Sequence, residues 1–190
     1  MERRSGIHYA VELLFDPEAE AAVLDVWRAI RDRTGSSVLF DLASRPHVTL
    51  AVHDERDAPQ LDRAVRAFTA HPVPFELASA GTFPGDEGVA FLAPVVTDEI
   101  LELHSRWHAA SPGSHELYRP GGWVPHCTVG ILLEGPARSE ALEVARRALP
   151  ISGRFQEVTL IRFERTLQPV ECLVRVPLRG AEGLTTYSRD

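Results

Sequence analysis

The chain carries one short pattern twice: Pro46-His47-Val48-Thr49-Leu50 in its first half and Pro125-His126-Cys127-Thr128-Val129 in its second. On an extended strand, residues i and i+2 share a face. Each His therefore stands beside its own Thr, while Val48, Leu50, Cys127 and Val129 turn to the other side, towards a core. The fold must supply two strands, apolar on one side, and bring their polar sides to one cleft. With 8 His and 10 Thr in 190 residues, chance gives about 0.4 His-x-Thr triplets, so a single copy would say little. Two copies, each after Pro, before an aliphatic residue and in strand-forming sequence, constrain the fold strongly. Two imidazoles and two hydroxyls in one cleft suit proton transfer around a phosphate.

The surrounding sequence repeats in outline as well. Ile7 to Phe15 is rich in strand formers. Asp16-Pro17-Glu18 is a helix start, and Val23, Leu24, Trp27 and Ile30 recur at helical spacing until Thr34-Gly35 closes the helix. The first motif strand is expected over 46–53, a helix over 58–70, and strands over 73–83 and 88–95 joined by Pro84-Gly85-Asp86-Glu87-Gly88. Thr97-Asp98-Glu99 then caps a helix carrying Ile100, Leu101, Leu103 and Trp107, which ends at Ser111-Pro112-Gly113. A polar loop over 113–122 leads into the second motif strand, expected over 123–133. A helix over 137–149 and strands over 154–165 and 170–178 follow, and the tail from Gly180 is expected to be loosely ordered. The pattern predicts one α+β domain over residues 1–190, with an ordered core at about 7–178. It has two interleaved, pseudo-symmetric lobes, each with an antiparallel sheet and flanking helices, and an active cleft between them.

Composition removes several chemistries. All twenty basic side chains are Arg, and no Lys occurs anywhere. That excludes a lysyl-nucleotide intermediate, a Schiff base and a P-loop. A net charge of −7 argues against broad electrostatic capture of long nucleic acid. Cys127 and Cys172 fit no metal pattern and suit a reduced cytoplasm as small apolar groups. No apolar run reaches the length of a membrane span, and no signal peptide is read at the N-terminus.

The paired motifs, 79 residues apart, and the repeated strand–helix order resemble the 2H phosphoesterase superfamily. Within it they resemble the bacterial 2′-5′ RNA ligase and RNA 2′,3′-cyclic phosphodiesterase family, with Trp123-Val124-Pro125 adding to the match. The resemblance implies metal-independent hydrolysis of 2′,3′-cyclic phosphates, with one His as base and the other as acid, exchanging roles in the ligation-like direction. No cofactor is implied. The expected partner is a small cyclic nucleotide or an RNA terminus with a cyclic phosphate, acted on by a monomer. Near neutral pH, imidazole and imidazolium suit that division of labour. Thr49 and Thr128 can donate to the non-bridging oxygens, where charge builds. The sequence does not decide between His47 and His126; the working assignment makes His126 the base and His47 the acid.

Other residues enter as candidates. Arg45 and Arg119 flank the motif strands and can meet a phosphate. Phe83, Tyr118, Trp123 and Tyr9 can stack on a base. His104 and His108, at i and i+4, have a zinc-compatible spacing, but no acidic or Cys ligand accompanies them, so a helix-surface pair is expected and no metal site. His8 can point into the cleft or simply start a strand, and His53, His71 and His115 show no pattern. In place of a basic residue, Gly130-Ile131-Leu132-Leu133 follows the second motif, which favours small or short cyclic phosphates. The alternatives carried forward are 2′-5′ RNA ligation or 2′-5′ phosphodiester cleavage by the same dyad, and a non-catalytic nucleotide- or RNA-end-binding module.

Overall fold

The computed structural model describes residues 6–54, 58–85, 87–164 and 168–180; the tail expected to be loose after Gly180 lies outside them. Along the chain run β1 (Ile7–Phe15), α1 (Pro17–Thr34), α2 (Val38–Asp41), β2 (His47–Asp54), α3 (Ala58–Ala67), β3 (Val73–Gly81) and β4 (Ala90–Pro94). These are followed by α4 (Asp98–Ala110), a 3-10 turn (Glu116–Tyr118), β5 (Cys127–Gly130), α5 (Pro136–Arg147), β6 (Ile151–Glu164) and β7 (Glu171–Pro177). No described helix is long and apolar enough to cross a membrane.

Local signals set the helix ends. Asp16 accepts from the Ala19 amide at 2.9 Å, capping α1. Its second oxygen accepts from the Arg154 amide at 2.6 Å, which pins that cap to β6. Gly35, at φ 77°, closes the same helix in the left-handed region that glycine enters without strain. Val23, Val26, Trp27 and Ile30 line its buried face. In α4, the Thr97 hydroxyl caps the Ile100 amide, and Ile100, Leu103, His104 and Trp107 face inward.

All strand pairs are antiparallel, in the order β2-β1-β6-β3-β4-β5. The 14-residue β6 lies against β1 by one edge. Its other edge takes β3 over Ile151 to Phe155 and β7 over Glu157 to Arg162. Two four-strand runs, β2-β1-β6-β7 and β5-β4-β3-β6, therefore share a strand. The sheets expected for the two lobes are joined through β6 into one seven-stranded array. The motif strands β2 and β5 sit at the two ends of the path and touch each other. Helix α1 packs on α5 and β6, α5 on β3 and β4, and α3 on β6 and β7.

One difference from the expected elements, the length of β5, has local causes. β5 covers only Cys127–Gly130, because Pro125 brings no amide hydrogen to a ladder. Beyond Gly130, Leu132 stands at φ 56° and turns the chain away. The Leu132 and Leu133 amides then donate to the carbonyls of Glu87 and Gly88, at 2.8 and 3.1 Å. Nothing in the sequence announces the short α2, which has four residues and no side-chain cap.

The core gathers Phe15, Phe75 and Phe155, with ring centroids 4.7 to 5.8 Å apart. Phe155 is fully buried at the point where β6 meets both β1 and β3. Phe155→Ala should therefore cost about 3–5 kcal/mol of stability, read as a lowered urea midpoint with an unchanged slope.

Candidate active site

Both motifs show the same alternation. Pro46, Val48 and Leu50 are buried while His47 and Thr49 are half-buried; Pro125, Cys127 and Val129 are buried while His126 and Thr128 are half-buried. The backbone repeats it too. His47 Nδ1 lies 2.6 Å from the Arg45 carbonyl, and His126 Nδ1 lies 2.8 Å from the Val124 carbonyl. A carbonyl only accepts, so each Nδ1 carries a hydrogen and donates it. The residue before each Pro thus fixes the tautomer, and Nε2 is the nitrogen left for proton exchange.

The two rings sit in unlike surroundings. His126 meets Phe83 edge-on at 4.8 Å and Phe91 at 5.4 Å, and these two phenyl rings lie 4.5 Å apart. Gly81 leaves room for them, since a Cβ there would stand 2.6 Å from the Phe91 ring. Burial pushes His126 below the usual histidine value, against the pull of the Val124 carbonyl, and the charge of His47 pushes the same way as burial. His47 Nε2 instead faces a carboxylate, with Glu12 Oε1 at 3.3 Å. Cys127, between the motif strands, is inert: burial pushes its thiol up to about 12, with the His47 backbone pulling the other way.

Of the remaining sequence candidates, Phe83 packs its side chain against a motif histidine. Arg45 forms a two-pronged ion pair with Glu20, at 2.8 and 2.6 Å, and its Nη1 lies 3.8 Å from Glu157. Its contribution to His47 runs through its own carbonyl. Trp123 stacks flat on His104, with centroids 4.0 Å apart and an angle of 5°, and its Nε1–H donates to the Thr49 carbonyl at 2.9 Å. Arg119 Nε donates to the Ser114 carbonyl at 3.0 Å. Tyr118 packs on Ala10, Val52 and Ile161, and its carbonyl accepts from His104 Nε2 at 2.8 Å.

These contacts tie the loop before the second motif to the strand of the first. His108 Nε2 reaches the Leu50 carbonyl at 3.4 Å while its Nδ1 meets Ser114 Oγ at 3.4 Å, and the His115 amide donates to the Val52 carbonyl at 2.7 Å. The α4 histidines are thus a clamp between motif halves. Among the described residues, no group of three or more His, Cys, Asp or Glu could hold a metal ion. The sequence did not single out Glu12, Phe91 or the clamp role of His104 as functional. The one available signal for Glu12 is an acidic residue inside the apolar run Val11-Glu12-Leu13-Leu14.

Residues 15–167 match the family model of the 2′-5′ RNA ligase superfamily, and the chain belongs to that family of 2H phosphoesterases. No curated protein matches it in sequence. Among solved structures it is similar to TT0787 of Thermus thermophilus. The identity is 20%, the match covers 92% of this chain and 99% of that one, and the TM-score is 0.62. It is also similar to E. coli LigT complexed with NADP+, at 18% identity, 94% and 99% coverage and a TM-score of 0.55. LigT complexed with 3′-AMP gives 17%, 93%, 99% and 0.54. At these identities the shared property is the fold.

The clamp makes stability acid-sensitive. Burial holds His104 down to about 4, below its ordinary 6.5, and lowers His108 as well. The unfolded chain therefore binds protons that the folded clamp refuses. Its stabilisation is full above about pH 6.5 and is lost as pH falls towards 4. Urea midpoints across that range should fall with pH, and His104→Asn should flatten the slope.

Proposed function

We propose that this protein hydrolyses 2′,3′-cyclic phosphates of nucleotides or RNA ends, without a metal, by two-histidine acid–base catalysis. The observation that carries the reading is the matched anchoring of both rings: each Nδ1 donates to a carbonyl two residues back, leaving two Nε2 atoms for the reaction. His126, half-buried against Phe83 and Phe91 and disfavoured as a cation, suits the base. His47, beside the Glu12 carboxylate, suits the acid.

In the forward step His126 Nε2 takes a proton from water as the oxygen attacks phosphorus. The bond from phosphorus to one ribose oxygen breaks, and His47 gives that oxygen its proton. Thr49 and Thr128 donate to the non-bridging oxygens as charge builds on them. The product is a phosphomonoester with a free neighbouring hydroxyl, and proton exchange with solvent resets both rings. Phe83 offers a face on which a base can stack. Arg45, Tyr118, Arg119 and Trp123 serve by shaping the cleft, through the contacts that hold them.

The net charge of −7 and the apolar Ile131-Leu132-Leu133 after the second motif favour short substrates over long strands. Solved LigT complexes carry NADP+, ATP and 3′-AMP, which supports nucleotide-sized ligands by analogy. The family's description favours a second reading, in which the same dyad seals or cleaves 2′-5′ linkages. A panel of 2′,3′-cyclic nucleotides, 2′-5′ oligomers and RNA ends with cyclic phosphates separates the two. Tight binding with no product would instead mark a binding module.

His47→Ala and His126→Ala should each lower kcat by about 10²–10⁴-fold, and Thr49→Ala or Thr128→Ala by less. Turnover should survive excess chelator, and undiminished turnover in the double His variant would end the proposal. The acidic limb of kcat/KM should lie below the ordinary histidine value near 6.5, because His126 is the base and its proton affinity is lowered. Phe83→Ala, by admitting water to that ring, should move the limb up.

A further inference from the structure

The reactive nitrogen of His47 already has a neighbour. Glu12 comes from the middle of β1, between the fully buried Val11 and Leu13, and is itself 5% exposed. Its oxygen reaches within 3.3 Å of Nε2 because the pairing of β1 with β2 slips by one residue. Val11 stands opposite Ala51, but Glu12 stands opposite Thr49, so Leu50 is left without a cross-strand partner. Residues directly opposite share a face. The slip therefore puts Glu12 and Leu14 on the side of Thr49 and His47; unslipped, Glu12 would face Leu50 and follow it into the core.

The charge on Glu12 has few places to turn. On its other flank it stands opposite Thr159, whose hydroxyl donates to the Val174 carbonyl at 2.9 Å. The charged and titratable groups that act on it are His47 on β2, Arg45 just before that strand and, across from β5, the protonated Cys127. Arg45 is bound to Glu20 on α1 and lies near Glu157 on β6, so its charge is largely spoken for. Burial holds the Glu12 carboxyl above its ordinary value, and the charges of His47, then Arg45, pull it part of the way back towards the ion. A buried carboxylate persists as an ion only against a counter-charge, and the nearest is the imidazolium of His47.

We propose that Glu12 is a positioning residue for the general acid: its buried carboxylate holds a proton on His47 Nε2, so that the ring meets substrate as imidazolium, ready to protonate the leaving oxygen. This role rests on the two-histidine phosphodiesterase reading.

The test compares Glu12→Gln and Glu12→Asp with the unaltered protein on two substrates. One is a nucleoside 2′,3′-cyclic phosphate; the other is a 4-nitrophenyl phosphodiester of the same nucleoside, whose nitrophenolate leaves without a proton. On the cyclic phosphate, Glu12→Gln should lower kcat about 10–100-fold at neutral pH with KM changed less than about threefold, and move the alkaline limb to lower pH. On the nitrophenyl ester the loss should stay under about threefold, because the acid is not needed. Glu12→Asp, which keeps the charge, should restore part of the alkaline limb. Equal loss on both substrates, or an unmoved limb, would overturn the role.

A readout free of turnover separates this inference from the reading beneath it. The ring C2 proton of His47, followed by NMR against pH, should change over a lower pH range in Glu12→Gln than in the unaltered protein. The same range in both removes Glu12 from the site. If the unaltered protein turns over neither substrate, the phosphodiesterase reading falls, and the His47 titration still decides whether Glu12 holds its proton. Should Glu12→Gln fail to fold, the same titration in Glu12→Asp decides it: a range moved down from that of the unaltered protein supports the pairing, and an identical range overturns it.

Discussion

Strand β6 is hydrogen-bonded along both edges, and the placement of the site depends on that. One edge carries β1, and through β1 the first motif strand. The other carries β3, and through β3 and β4 the second. Two residues 79 positions apart in sequence are positioned by two short runs of strand pairing that begin from the same strand. Phe155, wedged with Phe15 and Phe75 at the branching point, fills the space where the two runs diverge. Asp16 adds a further tie, since one carboxylate both caps α1 and holds the Arg154 amide of β6.

On this near-symmetric frame the two histidines are equal in backbone and unequal in surroundings. Each ring is fixed by the carbonyl two residues before it, so orientation and tautomer come from the repeated sequence itself. The difference in surroundings comes from elsewhere. Phe83 and Phe91, on and beside the β3–β4 hairpin, wrap the second ring in hydrocarbon. Glu12, on β1, gives the first a carboxylate. A repeated motif thus yields two distinct groups because its copies meet non-repeated neighbours: phenyl rings around one, a carboxylate beside the other.

Much of this is legible in the sequence where the signal is local. Asp16-Pro17 and Gly35 bound α1 as expected, and the alternation around His47 and His126 puts the right residues on the right faces. The α+β class follows from element order. What escapes depends on contacts between distant segments. Trp123 is a candidate for stacking on a base by its sequence, but its partner is His104, which only the packing of α4 against the loop reveals. Arg45 is a candidate for phosphate, but Glu20 takes its guanidinium from a helix 25 residues earlier. Glu12 is visible only as an oddity in an apolar run, because its direction is set by a one-residue slip that no local pattern encodes. The expected β5 is too long because Trp123 and Ile131 to Leu133 have strand-like side chains, whereas Pro125 and the turn at Leu132 deny them ladder bonds.

Both motif strands are edge strands. β2 and β5 end the path of the sheet and touch, yet among the described residues no ladder pairs one with the other. Edges usually need protection from unwanted pairing, and here each edge is covered by the other. The mechanical consequence is that the gap between them is a seam in the hydrogen-bonded network. Across it the two strands are tied by side chains instead: the clamp from α4, the Trp123 bond to Thr49, and the core that Val48 and Leu50 share with Cys127 and Val129. A molecule met by both motif strands would therefore bridge two strands that share side-chain contacts but no ladder bond.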